Sequence, residues 1–151
     1  MTTLKIGDKA PEFDSIDQNG KKVKLSDFSG KKLVLFFYPK ASTPGCTVEA
    51  CNLRDNYQVF LNKGYDVVGV SADSEKRQLN FSVKNDLPYS LLADEDKAVI
   101  NAYGVWGPKK FMGKEYDGIH RTTFVIDGNG IIEDIIEKVK TKEHTSQIID
   151  I

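Results

Sequence analysis

The chain has 151 residues with 21 Lys and Arg against 22 Asp and Glu, so its net charge of -1 supplies no field to gather nucleic acid or an anionic membrane surface. A hydrophobic fraction of 40% beside 28% charged residues excludes a disordered chain and leaves enough apolar matter for one core, burying roughly 70% of the unfolded surface. Residues 1–8 lack the apolar centre of a signal peptide, and the densest apolar run, 33–38, is too short to span a bilayer, so the expectation is one domain over 1–151, cytoplasmic and away from membranes.

In chain order, residues 13–17 and 22–25 flank Asn19-Gly20, a tight-turn signal because both residues tolerate positive φ; the chain should open with a β-hairpin. Residues 33–37 and 67–70 are apolar without alternation, as expected of central strands covered on both faces. Between them Ala50, Leu53, Tyr57, Phe60 and Leu61 recur at three- and four-residue spacing, one apolar helical stripe with Gly64 as its C-cap, which completes a β-α-β unit. A second helix is predicted from about Ser74 to Asn85, stopped before Pro88, and a third from about Asp94 to Tyr103, stopped at Gly104. Residues 122–127 and 131–137 read as strands joined through Gly128-Asn129-Gly130, which is a turn because no phosphate-loop pattern surrounds it, and a last short helix is placed from about Glu143. This order predicts an α/β fold with a central mixed sheet flanked by helices.

Two cysteines are too few to staple a secreted scaffold, so any role they have is that of thiols. Cys46 follows a buried strand and Thr43-Pro44-Gly45, which places it in the first turn of the first helix. There the unpaired backbone N–H groups and the dipole favour thiolate over thiol. It shares a helix face with Ala50, Leu53, Tyr57 and Phe60, whereas Cys51 lies about 140° round the axis. Five residues of helix separate the two Cα atoms by roughly 8 to 9 Å, beyond the ~7 Å reach of a disulfide, so a Cys46–Cys51 bond requires the first turn to unwind. Packing as small hydrophobes is the plainer role for both cysteines, and it has most force for Cys51.

The segment from Tyr38 to Cys51 resembles the active site of the Q-type peroxiredoxins, also called bacterioferritin comigratory proteins. Their Pro-x-x-x-Thr-x-x-Cys motif is met by Pro39, Thr43 and Cys46, and the resolving cysteine that this subgroup often carries five residues later is met by Cys51. Residues 7–13 and 121–127 extend the resemblance over nearly the whole chain. It implies a thioredoxin-like fold, reduction of hydrogen peroxide and alkyl hydroperoxides, and no metal, flavin or haem cofactor. Cys46 would then be peroxidatic and Cys51 resolving, Thr43 would hydrogen-bond the peroxide, Pro39 would shield the pocket, and Arg121 would hold thiolate and attacked oxygen. Thioredoxin or a similar dithiol would reduce the Cys46–Cys51 disulfide, and resolution within one chain favours a monomer. The chain departs from the family pattern at Ala41-Ser42, where acidic and amide residues are more usual, and stops at Ile151, where relatives often continue a final helix.

Each assignment has a simpler competitor. Thr43 could serve only as a helix N-cap, and Arg121 as a surface arginine opening a strand. His120 and His144 with Cys-x4-Cys do not make a convincing zinc spacing. Trp106, Phe111 and Tyr116 are expected to pack a Gly-rich loop against the domain. A thioredoxin-like disulfide oxidoreductase would share the fold but use Cys-x-x-Cys, and a redox-sensing domain would oxidise without turnover.

Overall fold

The computed structural model describes residues 2–150. The expected hairpin is present: β1 (Asp14–Ile16) pairs antiparallel with β2 (Lys22–Lys24). Its connection, residues 17–21, is wider than a tight turn. Asp17 Oδ1 accepts the Asn19 and Lys21 amides while Gly20 sits at φ +74°. The first apolar run becomes β3 (Lys32–Phe37), buried on both faces from Leu33 onward.

The helical stretch after it is two helices, α1 (Pro44–Asp55) and α2 (Tyr57–Asn62), instead of one. Asn56 interrupts them at φ -110°, ψ 11°, which turns α2 so that Phe60 is buried while Leu61 faces solvent. Gly64, at φ +83°, reverses the chain into β4 (Tyr65–Ser71). Next come α3 (Glu75–Lys84), capped by Ser74 Oγ accepting the Arg77 amide, and β5 (Ser90–Ala93).

The third helix is shorter than expected, α4 (Ala98–Ala102). The buried Asp94 carboxylate accepts the amides of Val99 and Ile100, and Lys97 takes the left-handed conformation at φ 62°, so residues 94–97 form the cap. The Gly-rich region is likewise no loop: β6 (Trp106–Phe111) and β7 (Lys114–Ile119) form a separate antiparallel hairpin, turned at Met112 and Gly113, both with positive φ. Its tip is exposed, with Phe111 65%, Met112 87% and Tyr116 49% accessible, so of the three aromatics only Trp106 packs against the core.

The chain closes with β8 (Thr122–Ile126), β9 (Ile132–Ile136) and α5 (His144–Ile148). The main sheet runs β5-β4-β3-β8-β9, parallel across β5, β4 and β3 and antiparallel at β8 and β9, so it is mixed as the sequence implied. Alternate side chains of each strand serve opposite faces. Leu33, Leu35 and Phe37 join Phe124, Ile126 and α4 on one side, while Val34 and Phe36 meet α1, α2 and α3 on the other. Burying side chains such as Leu53, Phe60 and Phe81 contributes roughly 1.5 to 3 kcal/mol each, which anchors the helices over that second face.

Candidate active site

β3, the middle strand of the sheet, ends at Phe37, and residues 38–43 carry the chain from its C-terminal end to the start of α1. Tyr38 continues the pairing through its amide to Val70 O. Three hydrogen bonds set the bend: the Ala41 amide donates to the buried Asp73 carboxylate at 2.8 Å, the Ser71 hydroxyl donates to the same Oδ2 at 2.6 Å, and Thr43 Oγ1 donates to Lys40 O at 2.8 Å. Held this way, Ser42 sits at φ 66°, an uncommon conformation for a residue with a side chain and one that concentrates at functional loops. Thr43 occupies the N-cap position with extended backbone, yet its hydroxyl does not cap; the simple capping role is therefore not what this side chain performs.

Pro44 opens α1 and Cys46 lies in its first turn, 1% exposed, under free N–H groups at the positive end of a helix of 12 residues. Arg121, just ahead of β8, reaches across. Its Nη2 donates to Cys46 Sγ at 3.4 Å and its Nη1 donates to Glu49 Oε1 at 2.7 Å. A Cβ added at Gly45 would come within 3.3 Å of Arg121 Nη2, so the glycine leaves room for the guanidinium to lie against the helix. Burial works against the arginine's charge, but Glu49 and Cys46 outweigh it and hold the guanidinium more firmly protonated than usual. Lys109 on β6 also faces this region; burial lowers its pKa first, Arg121 adds to the lowering, and Cys46 acts in the opposite sense.

Cys51 lies elsewhere. It is half-buried on another face of α1, with Sγ 3.7 Å from Asn85 Oδ1 just past α3. Both cysteines are free, and α1 runs unbroken through them. The structure thus joins Cys46 and Arg121, places Thr43 at the start of the same helix and leaves Cys51 apart. Pro39 lines a neighbouring cavity of about 430 Å³ together with Trp106, Lys109 and Ile119.

Two residues at this site were not assigned to it from sequence. Glu49 is fully buried, and burial drives its carboxyl up to about 7 even though the charge and hydrogen bond of Arg121 pull it down. A signal existed: Glu49 is one helical turn from Cys46, a charge set into the apolar face of Ala50 and Leu53. His144, considered only as a metal ligand, is fully buried beside it, with Nε2 2.7 Å from Thr123 Oγ1 and 3.5 Å from Glu49 Oε2. Nothing local in the sequence marks it, because the contact depends on how the C-terminal helix returns to α1. His120 is remote from this cluster in its bonding, with Nε2 at 2.9 Å from Pro108 O.

A thiol beside a guanidinium at a helix N-terminus is suited to exist as a nucleophilic anion, and the guanidinium fork can also steady negative charge on an attacked oxygen. Against known proteins, the AhpC/TSA family matches residues 6–135. Peroxiredoxin Bcp of Escherichia coli K12 is 48% identical over 150 residues, covering 99% of this chain and 96% of its own. Among solved structures, the bacterioferritin comigratory protein of Xanthomonas campestris, described with alkyl peroxide reduction activity, superposes with a TM-score of 0.85 at 32% identity over 98% of this chain and 94% of that one. A cysteine-to-serine mutant of PrxQ from Xylella fastidiosa gives a TM-score of 0.92 at 28% identity, over 98% of this chain and 94% of that one.

Proposed function

The chain belongs to the AhpC/TSA family as a Q-type peroxiredoxin and is a thiol-dependent peroxidase, and from that premise we propose that Cys46 is the peroxidatic residue and Cys51 the resolving one. The observation that carries the assignment is the 3.4 Å contact of Arg121 with the buried Cys46 Sγ, a contact Cys51 lacks. The Cys46 thiolate attacks the terminal oxygen of the hydroperoxide; the S–O bond forms as the O–O bond breaks, leaving Cys46 sulfenic acid and an alkoxide or hydroxide that takes a proton. Arg121 steadies the charge on the oxygens as it develops. Thr43 orients the peroxide, its hydroxyl exchanging the Lys40 carbonyl for the substrate. Pro39 closes the side of the site that faces the neighbouring cavity.

The Cys51 thiol then displaces water from the sulfenic acid and forms the disulfide, which forestalls irreversible oxidation. Because α1 holds the two cysteines on different faces, this step requires the first turns of α1 to unwind, releasing Cys46 from Arg121 and Cys51 from Asn85. A dithiol of the thioredoxin class exchanges with the disulfide and restores both thiols. We read the whole chain, 1–151, as one domain that completes this cycle as a monomer in the cytoplasm, taking hydrogen peroxide and alkyl hydroperoxides. Among the described residues no helix is long and apolar enough to cross a membrane.

The test is turnover. With a thioredoxin reducing system the protein should consume many equivalents of peroxide, Cys46→Ser none, and Cys51→Ser only what an added monothiol supports. Consumption that stops at one equivalent in the wild type would favour the redox sensor over the peroxidase.

A further inference from the structure

Behind Arg121, on the side away from Cys46, the structure buries two titratable groups facing each other. Glu49 Oε2 lies 3.5 Å from His144 Nε2 and makes no hydrogen bond. The imidazole's other contacts decide its protonation. Gln147 Nε2 donates to Lys138 O at 2.9 Å and Gln147 Oε1 accepts the Lys140 amide at 2.9 Å, which fixes the amide's orientation. His144 Nδ1, 2.8 Å from that Oε1, must therefore carry a hydrogen and donate. In the neutral ring Nε2 is then bare and accepts from Thr123 Oγ1. A bare nitrogen facing an ionised, unpaired carboxylate oxygen in a site without solvent is an electrostatic conflict, and one proton placed on either group removes it.

We propose that Glu49 and His144 act as a single buried proton site, positioning residues whose state of protonation sets how much of the Arg121 charge reaches the Cys46 thiolate. The inference rests on Cys46 being the reacting thiol. When the pair holds its proton it carries no net charge, so it offsets the guanidinium least and the thiolate is favoured. When the proton leaves, the Glu49 carboxylate, 2.7 Å from Arg121 Nη1, draws on the same charge and the thiolate is favoured less. The pair thus takes up a proton as the pH falls and helps keep Cys46 ionised under the conditions that would otherwise neutralise it.

The other groups facing the pair leave this proton to Glu49 and His144. From α1 comes Cys46 and from ahead of β8 comes Arg121, both already in the chain of contacts. Tyr89, beside β5, donates to Ala50 O at 2.7 Å, and its phenol stays protonated because burial raises it well above its ordinary range. Lys109, from β6, faces Arg121 and Cys46. Thr123 and Gln147 do not titrate. Burial raises Glu49 and lowers His144, which brings their affinities for the proton together.

The experiment is the pH–rate profile of Cys46 alkylation by iodoacetamide, mapped by mass, in a Cys51→Ser background carrying no further change, Glu49→Gln or His144→Gln. Glu49→Gln removes the opposing carboxylate and should move the Cys46 midpoint to lower pH, by about five-fold in thiolate-to-thiol ratio. His144→Gln offers Oε2 a donor that holds no extra proton, keeps Glu49 ionised and should move the midpoint to higher pH. Midpoints that coincide with the parent's, or that move in the same direction in both variants, overturn the inference. A measurement independent of those variants is the imidazole NMR titration of His144 in the Cys51→Ser protein and in Cys46→Ser. Its midpoint should fall when the thiolate is absent, and an unchanged midpoint also overturns the inference. Should Cys46 in the parent react with peroxide no faster than an ordinary thiol, it is the peroxidase assignment that fails; rapid reaction with unmoved profiles sinks only the proton site.

Discussion

On one face of the central sheet Leu33, Leu35, Phe37, Phe124 and Ile126 meet Ile100, Tyr103 and Val105, and a buried carboxylate beside them, Asp94, is engaged by the amides that start α4. On the other face Val34 and Phe36 share the interior with Glu49, Gln78, Thr123 and His144, all fully buried. The same strands build both faces, so the difference lies in what the covering helices bring. One side spends its residues on dry packing; the other accepts the desolvation cost of polar groups and uses them to hold a thiol in a chosen state.

Substitutions on the two faces should therefore fail in different ways. The largest effect is expected at the thiol: Cys46→Ser should cost ~10³-fold or more in peroxide reduction while leaving the thermal midpoint close to wild type, as read by kcat/KM and calorimetry. On the dry face Phe124→Ala should do the opposite, lowering unfolding free energy by about 3 to 5 kcal/mol in urea titration with peroxide reactivity per folded molecule unchanged. If that variant also loses reactivity, the two faces are not separable. Arg121→Met should reduce kcat/KM by ~10²- to 10³-fold through loss of the donor fork.

The contrast also predicts a pH dependence. Glu49 is raised from 4.5 to about 7 by burial, so the folded protein binds a proton the unfolded chain lacks, and stability should fall as the pH rises through that window by up to ~3 kcal/mol. His144, lowered by burial, acts in the reverse sense, costing stability as the pH drops below 6.5. In Glu49→Gln the histidine's slope should remain of these two, so the variant gains stability relative to wild type as the pH rises. The smallest effect is expected at Tyr89→Phe, which deletes the hydrogen bond to Ala50 O. A loss of ~1 kcal/mol should appear as faster amide exchange in the first turns of α1.

The strands shared by the two faces were the most legible part of the chain. Residues 33–37 and 67–70 announce themselves as central strands because unbroken apolar runs admit few other placements, and Gly64, at φ +83°, marks the turn into the second; Asn19-Gly20 marked the β1–β2 hairpin but not the width of its connection. The β6–β7 hairpin was not legible: Gly107, Pro108 and two lysines give its first strand no alternation, and it pairs only with its neighbour. The shortening of α4 depends on a carboxylate reaching amides several residues on, which no periodicity records. At the site, Cys46 was marked by its place after a buried strand in the first turn of a helix, Thr43 and Arg121 by the family resemblance, and the structure adds the contact between Cys46 and Arg121. Glu49 was passed over because a charge at a helical position is ordinarily solvated, and His144 because its partners lie on α1 and β8, remote in sequence.

Two thiols of one helix do different work in this cycle, and intact mass after a single turnover tests that division most directly. Reduced protein given one equivalent of hydrogen peroxide and quenched within seconds should lose about 2 Da as a monomer. Cys51→Ser should instead gain about 16 Da or its overoxidised forms, and Cys46→Ser should stay unchanged. A wild type that reacts no faster than a free thiol, or a Cys46→Ser protein that still consumes the peroxide, would contradict it.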